Sequence, residues 1–453
     1  MGVTKQPIIR GRVSAPIMQA VPPLLNRKVV QVCLVIFMLF IVTLTLSQDV
    51  ESDEDDANED IVVTSLVNND VENPVVANVR LLSIDGSNSE LVFTEPLRGQ
   101  FSIAPATSAC LQGSGCEWST HNLSNDSHSS SPVRVSHAEI NGQRQWIVSD
   151  IGILHPSNDK EGRIIAIDPS TGQTDVLIEN IGRTVCAEPG DLDADGDVDL
   201  TLCEFGHDDG TVSWLENDDG NWTKHVLDPR PGSIHAIPVD VDSDGDLDVV
   251  AILSQLSEEV MLYRNDGFGN FSSESLYKAN VTHYGMSGLK AEDLDFDGDI
   301  DLIFTNGDTM DFDTPQGVNP NQLHGVAWLE NNGSGEFTYH ELVRNWGAYD
   351  TAIVDFDGDG DLDIIAAFFQ DTNQFPDHTP RTQLIVLEQQ NMSWIRHDIQ
   401  MDAQYRFLSI ALVNADESEL SLIFGSHDPF ANGGDLYRLA LMQLQVPVDS
   451  SGS

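Results

Sequence analysis

DLDADGDVD, residues 191–199, carries aspartate at its first, third, fifth, seventh and ninth places and glycine at its sixth. The pattern returns as DVDSDGDLD from Asp240, DLDFDGDID from Asp293 and DFDGDGDLD from Asp355, so the starts lie 49, 53 and 62 residues apart. A spacing of this size marks one supersecondary unit repeated along the chain. A β-rich apolar run follows each motif, as at 249–253, 302–305 and 364–369, with no helical period beside it. The acidic stretch therefore reads as a loop joining two strands.

A second element recurs with the first. Trp118-Ser-Thr-His121-Asn-Leu123, Trp222-Thr-Lys-His225-Val-Leu227, Phe337-Thr-Tyr-His340-Glu-Leu342 and Trp394-Ile-Arg-His397-Asp-Ile399 alternate aromatic, polar and aliphatic residues. That alternation marks a half-buried outer strand, in which the histidines are strand positions rather than ligands. Between the two elements, VSWLENDDGN and VAWLENNGSGE supply a third strand and its turn. Four strands per unit make a propeller blade. Degenerate copies at 136–149, 409–424 and, more loosely, 79–94 extend the series. The expected fold is all-β: a ring of seven four-stranded blades over residues 79–445, with 61–67 available to complete the last blade and six blades as the fallback. The ring must close, because a blade cannot bury both sheet faces alone and closure hides the strand edges.

Five carboxylates within nine residues repel one another unless a cation sits among them. Ca²⁺ takes six to eight hard oxygens, and alternating carboxylates on a tight loop deliver several to one point. The candidate metal residues are Asp191, Asp193, Asp195, Asp197 and Asp199; Asp240, Asp242, Asp244, Asp246 and Asp248; Asp293, Asp295, Asp297, Asp299 and Asp301; and Asp355, Asp357, Asp359, Asp361 and Asp363. Places one, three, five and nine would give side-chain oxygens, and place seven a backbone carbonyl with its own carboxylate facing water. The sixth-place glycine makes the sharp turn. An EF-hand would need glutamate at place twelve, where Leu202, Ala251, Phe304 and Ala366 stand.

These loops resemble those of the integrin-α-like FG-GAP/VCBS repeat family, over residues 79–445. The resemblance implies a seven-bladed propeller with calcium between the first two strands of a blade. It assigns ligand places to Asp191, Asp193, Asp195, Asp199 and their counterparts in the other three loops, and it implies that the ions are mostly structural, with recognition on the opposite face. At Asn414, Asp416 and Ser418 the sequence departs from the pattern and lacks the glycine.

The formal charge of −51, from 73 acidic against 22 basic residues, excludes nucleic acid and anionic membrane surfaces as partners of the folded part. Residues 1–28 form a basic tail holding Lys5, Arg10, Arg12, Arg27 and Lys28, followed by an apolar run at 29–46. At 1.5 Å per residue that run would reach ~27 Å as a helix, which predicts an N-terminal transmembrane signal-anchor. Cleavage after Ser47, giving a secreted or periplasmic protein, is the alternative. An acidic stalk at 47–60, the propeller at 61–447 and a disordered tail at 448–453 complete the expected domains. Cys33 lies in the apolar run, leaving Cys110 with Cys116 and Cys186 with Cys203 as plausible local disulfides of an extracytoplasmic domain.

The first functional expectation is a calcium-binding, membrane-tethered recognition or adhesion module for an extracellular protein or glycan. The second is a secreted polysaccharide-directed or metal-dependent hydrolase or lyase. Its site would lie on the face opposite the acidic loops, in connections bearing His155, His207, His324, His378 and His427 with Asp209, Asp308, Asp311, Asp313, Asp371 and Asp428. No nucleophile elbow, phosphate-binding glycine loop or HExxH pair supports catalysis.

Overall fold

The structure, a computed structural model, describes residues 62–65, 70–71, 75–85, 88–111, 115–124, 129–155, 157–206, 208–308, 317–370, 375, 382–390, 393–399, 406–416, 419–426, 437–438 and 441–447. Among these residues the strands form seven four-stranded antiparallel sheets and one two-stranded pair, Asp70–Val71 with Tyr437–Arg438. Among the described residues helix is limited to Ser108–Leu111 and two short 3-10 turns.

Six sheets are regular blades made of four consecutive strands, beginning at Asn78–Asp85, Pro132–Ile140, Thr184–Gly190, Ser233–Val239, Met286–Glu292 and Ala348–Val354. The remaining sheet is composite: Phe407–Asp416, Glu419–Ser426 and Leu441–Pro447 are joined at the edge by Val62–Ser65 from the other end of the chain.

The second strand shows why these residues build blades. DLTLCE at Asp199–Glu204, DVVAIL at Asp248–Leu253, DLIFTN at Asp301–Asn306 and DIIAAF at Asp363–Phe368 are buried at every position. A strand with both faces covered has no polar side to alternate with. Val249, Ala251 and Leu253 pack with Trp214 of the preceding blade, whereas Val250 and Ile252 pack with Leu289, Leu302 and Phe304 of the following one. Period-two geometry thus sends successive residues of one strand into two inter-blade cores. The fourth strands, such as Asn221–Asp228 and Phe271–Lys278, are largely solvent-facing.

The composite sheet follows the same rule. Phe407, Ile410 and Phe424 pack with Ile365 and Val386 on one side, and Ala411 and Ile423 pack with Val79 and Leu91 on the other. The first strands of all seven sheets line a cavity of about 770 Å³.

Cys110 bonds Cys116 and Cys186 bonds Cys203, as the spacing anticipated. The expected single-pass membrane topology is corrected: no helix among the described residues is long and apolar enough to cross a membrane. The 29–46 run on which that expectation rested lies outside the described residues, as do 1–28, 47–60 and 448–453.

Candidate metal centres and the loops that form them

Each acidic loop joins the first strand of a blade to its second. The chain reverses through two left-handed residues per loop. Place four is Ala194, Ser243, Phe296 or Gly358, at φ of 59°, 58°, 58° and 79°. Place six is Gly196, Gly245, Gly298 or Gly360, at φ between 96° and 98°. Place four sits in the narrow left-handed well that Ala, Ser and Phe enter at a cost, whereas the φ of place six lies beyond that well, so glycine there is a conformational requirement. Its N–H donates to the first aspartate of the loop in all four copies, at 3.0–3.2 Å.

The turn brings carboxylates together. Ligand-capable atoms of Asp191, Asp193 and Asp199 lie within 4.8 Å of one another, and so do those of Asp240, Asp242 and Asp244, of Asp293, Asp295 and Asp297, and of Asp355, Asp357 and Asp359. The Oδ1 atoms of Asp191, Asp240, Asp242 and Asp293 are buried with no hydrogen-bond partner. A buried carboxylate oxygen without a donor costs ~1–3 kcal/mol or more, and a hard cation is the group that satisfies several at once. The donor set, all carboxylate oxygen, fits Ca²⁺ by its chemistry.

Place nine has a second role in all four loops. Asp199 belongs to its cluster, but Asp248, Asp301 and Asp363 do not join the triads of places one, three and five. All four are buried and work as staples. Asp199 accepts the amides of Leu192 and Asn217, Asp301 those of Leu294 and Asn331, and Asp363 those of Phe356 and Gln389. Asp248 accepts from Asn265 at 2.8 Å and more weakly from Val241 at 3.4 Å. Burial pushes the carboxyls of Asp199 and Asp301 up to about 7 and those of Asp248 and Asp363 up to about 6.

At place seven, three of the four carboxylates lie half-buried against the hairpin between third and fourth strands. Asp197 accepts the amide of Asp219 at 2.9 Å. The carboxylates of Asp246 and Asp299 lie against Gly267 and Gly333 in the hairpins between third and fourth strands, where a Cβ would stand 2.3 and 2.4 Å from their Oδ2 atoms.

A set of residues that the motif did not contain links the loops. Asn265 donates its side-chain amide to Leu247 O in its own loop and to Leu192 O in the loop before. Asn331 does the same with Ile300 O and Val241 O, and Gln389 with Leu362 O and Leu294 O. The available signal was the shared position after LE or YR in LEND, YRND, LENN and LEQQ. The residue just before the amide is Glu216, Glu330 or Glu388 in three blades, and each accepts from or pairs with the outer-strand His225, His340 or His397 at 2.5–2.7 Å. His225 also stacks on Trp214 at 4.8 Å. These histidines are strand positions held by cross-strand partners. The fourth blade of the chain has Arg264 there instead, 2.8 Å from Asp242.

Only part of the expected catalytic-loop set falls among the described residues, where Asp209 is exposed and Asp308 half-buried. His155 is exposed. His324 is buried, accepts the Gly347 amide, and is pushed down to about 3 by burial and Arg344. His207, His378, His427, Asp311, Asp313, Asp371 and Asp428 lie outside the described residues, as does Ser418.

The model of the FG-GAP-like repeat matches residues 191–251 and 240–304, which include three of the four acidic loops. No curated protein matches the sequence. Among solved structures, an ancestral GH74 enzyme aligns with TM-score 0.56 and 10% identity, over 84% of this chain and 48% of that one. The chain therefore spans about half the length of that enzyme. The NanB sialidase from Streptococcus pneumoniae aligns with TM-score 0.43 and 13% identity, over 84% of this chain and 70% of the sialidase. At these identities the likeness concerns the fold alone. Blades, acidic first-to-second-strand loops and the matched repeats at 191–304 together support an FG-GAP repeat β-propeller.

Proposed function

We propose that this chain is a calcium-binding recognition propeller acting in an oxidising, extracytoplasmic compartment. The observation that carries the proposal is the convergence of three carboxylates within 4.8 Å in four loops, with buried Oδ1 atoms that lack any donor in three of them. Asp191, Asp193 and Asp199, Asp240, Asp242 and Asp244, Asp293, Asp295 and Asp297, and Asp355, Asp357 and Asp359 would hold the ions. Calcium would supply the positive charge that the loops need to stay folded, and no reaction step. Two disulfides support the compartment. In this reading the composite sheet closes the ring as a seventh blade, supported by the packing of its two faces on both neighbouring blades.

The partner would be an extracellular protein or glycan met by the face opposite the loops. A binding screen of the purified protein against glycans and extracellular proteins, with calcium and with EGTA, tests this. Capture that needs calcium supports the reading, and no capture under either condition rejects it. The fold shared with the GH74 enzyme leaves a second reading open, a polysaccharide-directed hydrolase or lyase. Release of reducing sugar ends or unsaturated products from a polysaccharide panel by the same preparation would replace the first reading with the second.

A further inference from the structure

The axial cavity of about 770 Å³ inverts the charge balance of the chain. Its wall is largely aliphatic, including Leu81, Val185, Ile234 and Leu289, yet it carries Arg80, Arg134 and Lys290 against only Glu188 and Asp350. Cations outnumber anions there, in a chain of 73 acidic and 22 basic residues. The pairing is uneven as well. Arg80 donates to both Glu188 oxygens, at 2.8 and 3.1 Å, and Arg134 donates to the same Oε1 at 3.3 Å. One carboxylate thus serves two guanidiniums. Asp350 is engaged by Lys290 at 3.0 Å and by the amides of Thr351 and Ile410. His235 lies 3.2 Å from Arg134, and burial together with Arg134, Lys290 and Arg80 holds its imidazole well below the ordinary range, so it adds no charge.

The cavity therefore keeps one positive charge in excess, at two guanidiniums in a mostly apolar wall. Burial disfavours the charge on Arg134, and Glu188 offsets this only in part. The two guanidiniums are partly exposed, Arg80 to 33% and Arg134 to 14%, so the cavity mouth admits an anion that would complete their pairing. Guanidinium forks match carboxylate geometry, and the volume lies in the range of small-molecule sites, ~300–1,000 Å³.

We propose that the axial cavity binds a small organic monoanion, with its carboxylate on Arg80 and Arg134 and its apolar body along the aliphatic wall. The site is separate from the acidic loops and does not depend on their metal.

Calorimetric titration of the full chain with benzoate tests it, with benzamide as the neutral isostere and inorganic phosphate as the competing simple anion. One benzoate per chain is expected, with benzamide weaker by roughly tenfold or more, as for loss of a charge-assisted hydrogen bond. Arg80→Met should weaken benzoate by a similar factor at unchanged Tm. Arg80→Lys, which keeps the charge and loses the fork, should fall between the two and covers the case in which Arg80→Met fails to fold. Equal affinity for benzoate and benzamide, or wild-type affinity in Arg80→Met or Arg80→Lys, would overturn the proposal. Displacement of benzoate by an equal concentration of phosphate would overturn the organic-carboxylate assignment.

Discussion

Replacing Asp295 with Ala removes the third-place carboxylate from the 293 loop, which lies between two others in the linked series. If each loop binds Ca²⁺ with Kd on the order of 10⁻⁴ M, then ~10 mM Ca²⁺ stabilises each independent site by about 2.7 kcal/mol. At roughly 2 °C per kcal/mol, the low end of the range for large domains, one site corresponds to about 5 °C in Tm. The sites are not independent here. Asn331 spans Val241 O and Ile300 O at 2.8 and 2.9 Å, and Gln389 spans Leu294 O and Leu362 O at 3.1 and 3.0 Å. Loosening the 293 loop therefore slackens contacts to the 240 and 355 loops, and coupling between groups in one network is on the order of 0.5–3 kcal/mol. Asp295→Ala should lose more than one quarter of the calcium-dependent Tm shift of the wild type. The assay is thermal unfolding at low ionic strength in 10 mM Ca²⁺ and in EGTA (roughly the concentrations assumed above), with bound metal measured in both. A wild-type Tm unmoved by EGTA, once metal is shown to be gone, would refute the cation account. A loss in Asp295→Ala of one quarter or less would refute the coupling.

Further outcomes follow from the same geometry. Asn331→Leu leaves two buried carbonyls without their donor and should cost about 1–3 kcal/mol in denaturant unfolding; an unchanged midpoint would deny the bridge its role. Gly333→Ala should destabilise by roughly 1–2 kcal/mol, because φ is +74° and the new Cβ meets the Asp299 carboxylate. Arg264→Gln removes the cation 2.8 Å from Asp242 and should tighten calcium at the 240 loop, read as a higher-affinity step in a calcium titration. The place-nine carboxyls, raised by burial to about 6 or 7, hold protons in the metal-free folded state that the unfolded chain has already released. Their contribution is full below pH ~4 and is lost as pH rises to about 7. Metal-free Tm should therefore fall over that window, while calcium, which favours the ionised carboxylates, should stabilise more as pH rises. A metal-free Tm that climbs from pH 4 to 7 would contradict this.

The repeat spacing, the two-faced apolar second strands and the Asp-Gly alternation determined the blade, the position of the acidic loop and the left-handed glycine at place six. Each is a local property: a strand buried on both sides needs an unbroken apolar run, and a tight loop needs a residue without a Cβ. The pairing of Cys186 with Cys203 was legible for the same reason, since they face each other on adjacent strands of one blade. The tertiary structure decided which carboxylates point inward. Asp301 is taken by amides of Leu294 and Asn331, 30 residues apart from the latter in sequence, and no alternation pattern reveals that competition. The bridges of Asn265, Asn331 and Gln389 cross from one blade to the next, so they exist only once blades are stacked. The charge excess of the axial cavity arises from Arg80, Arg134 and Glu188, which the chain separates by up to 108 positions. The stacking of three consecutive blades brings them within hydrogen-bond distance, because it sets the same strand position of each blade around one axis.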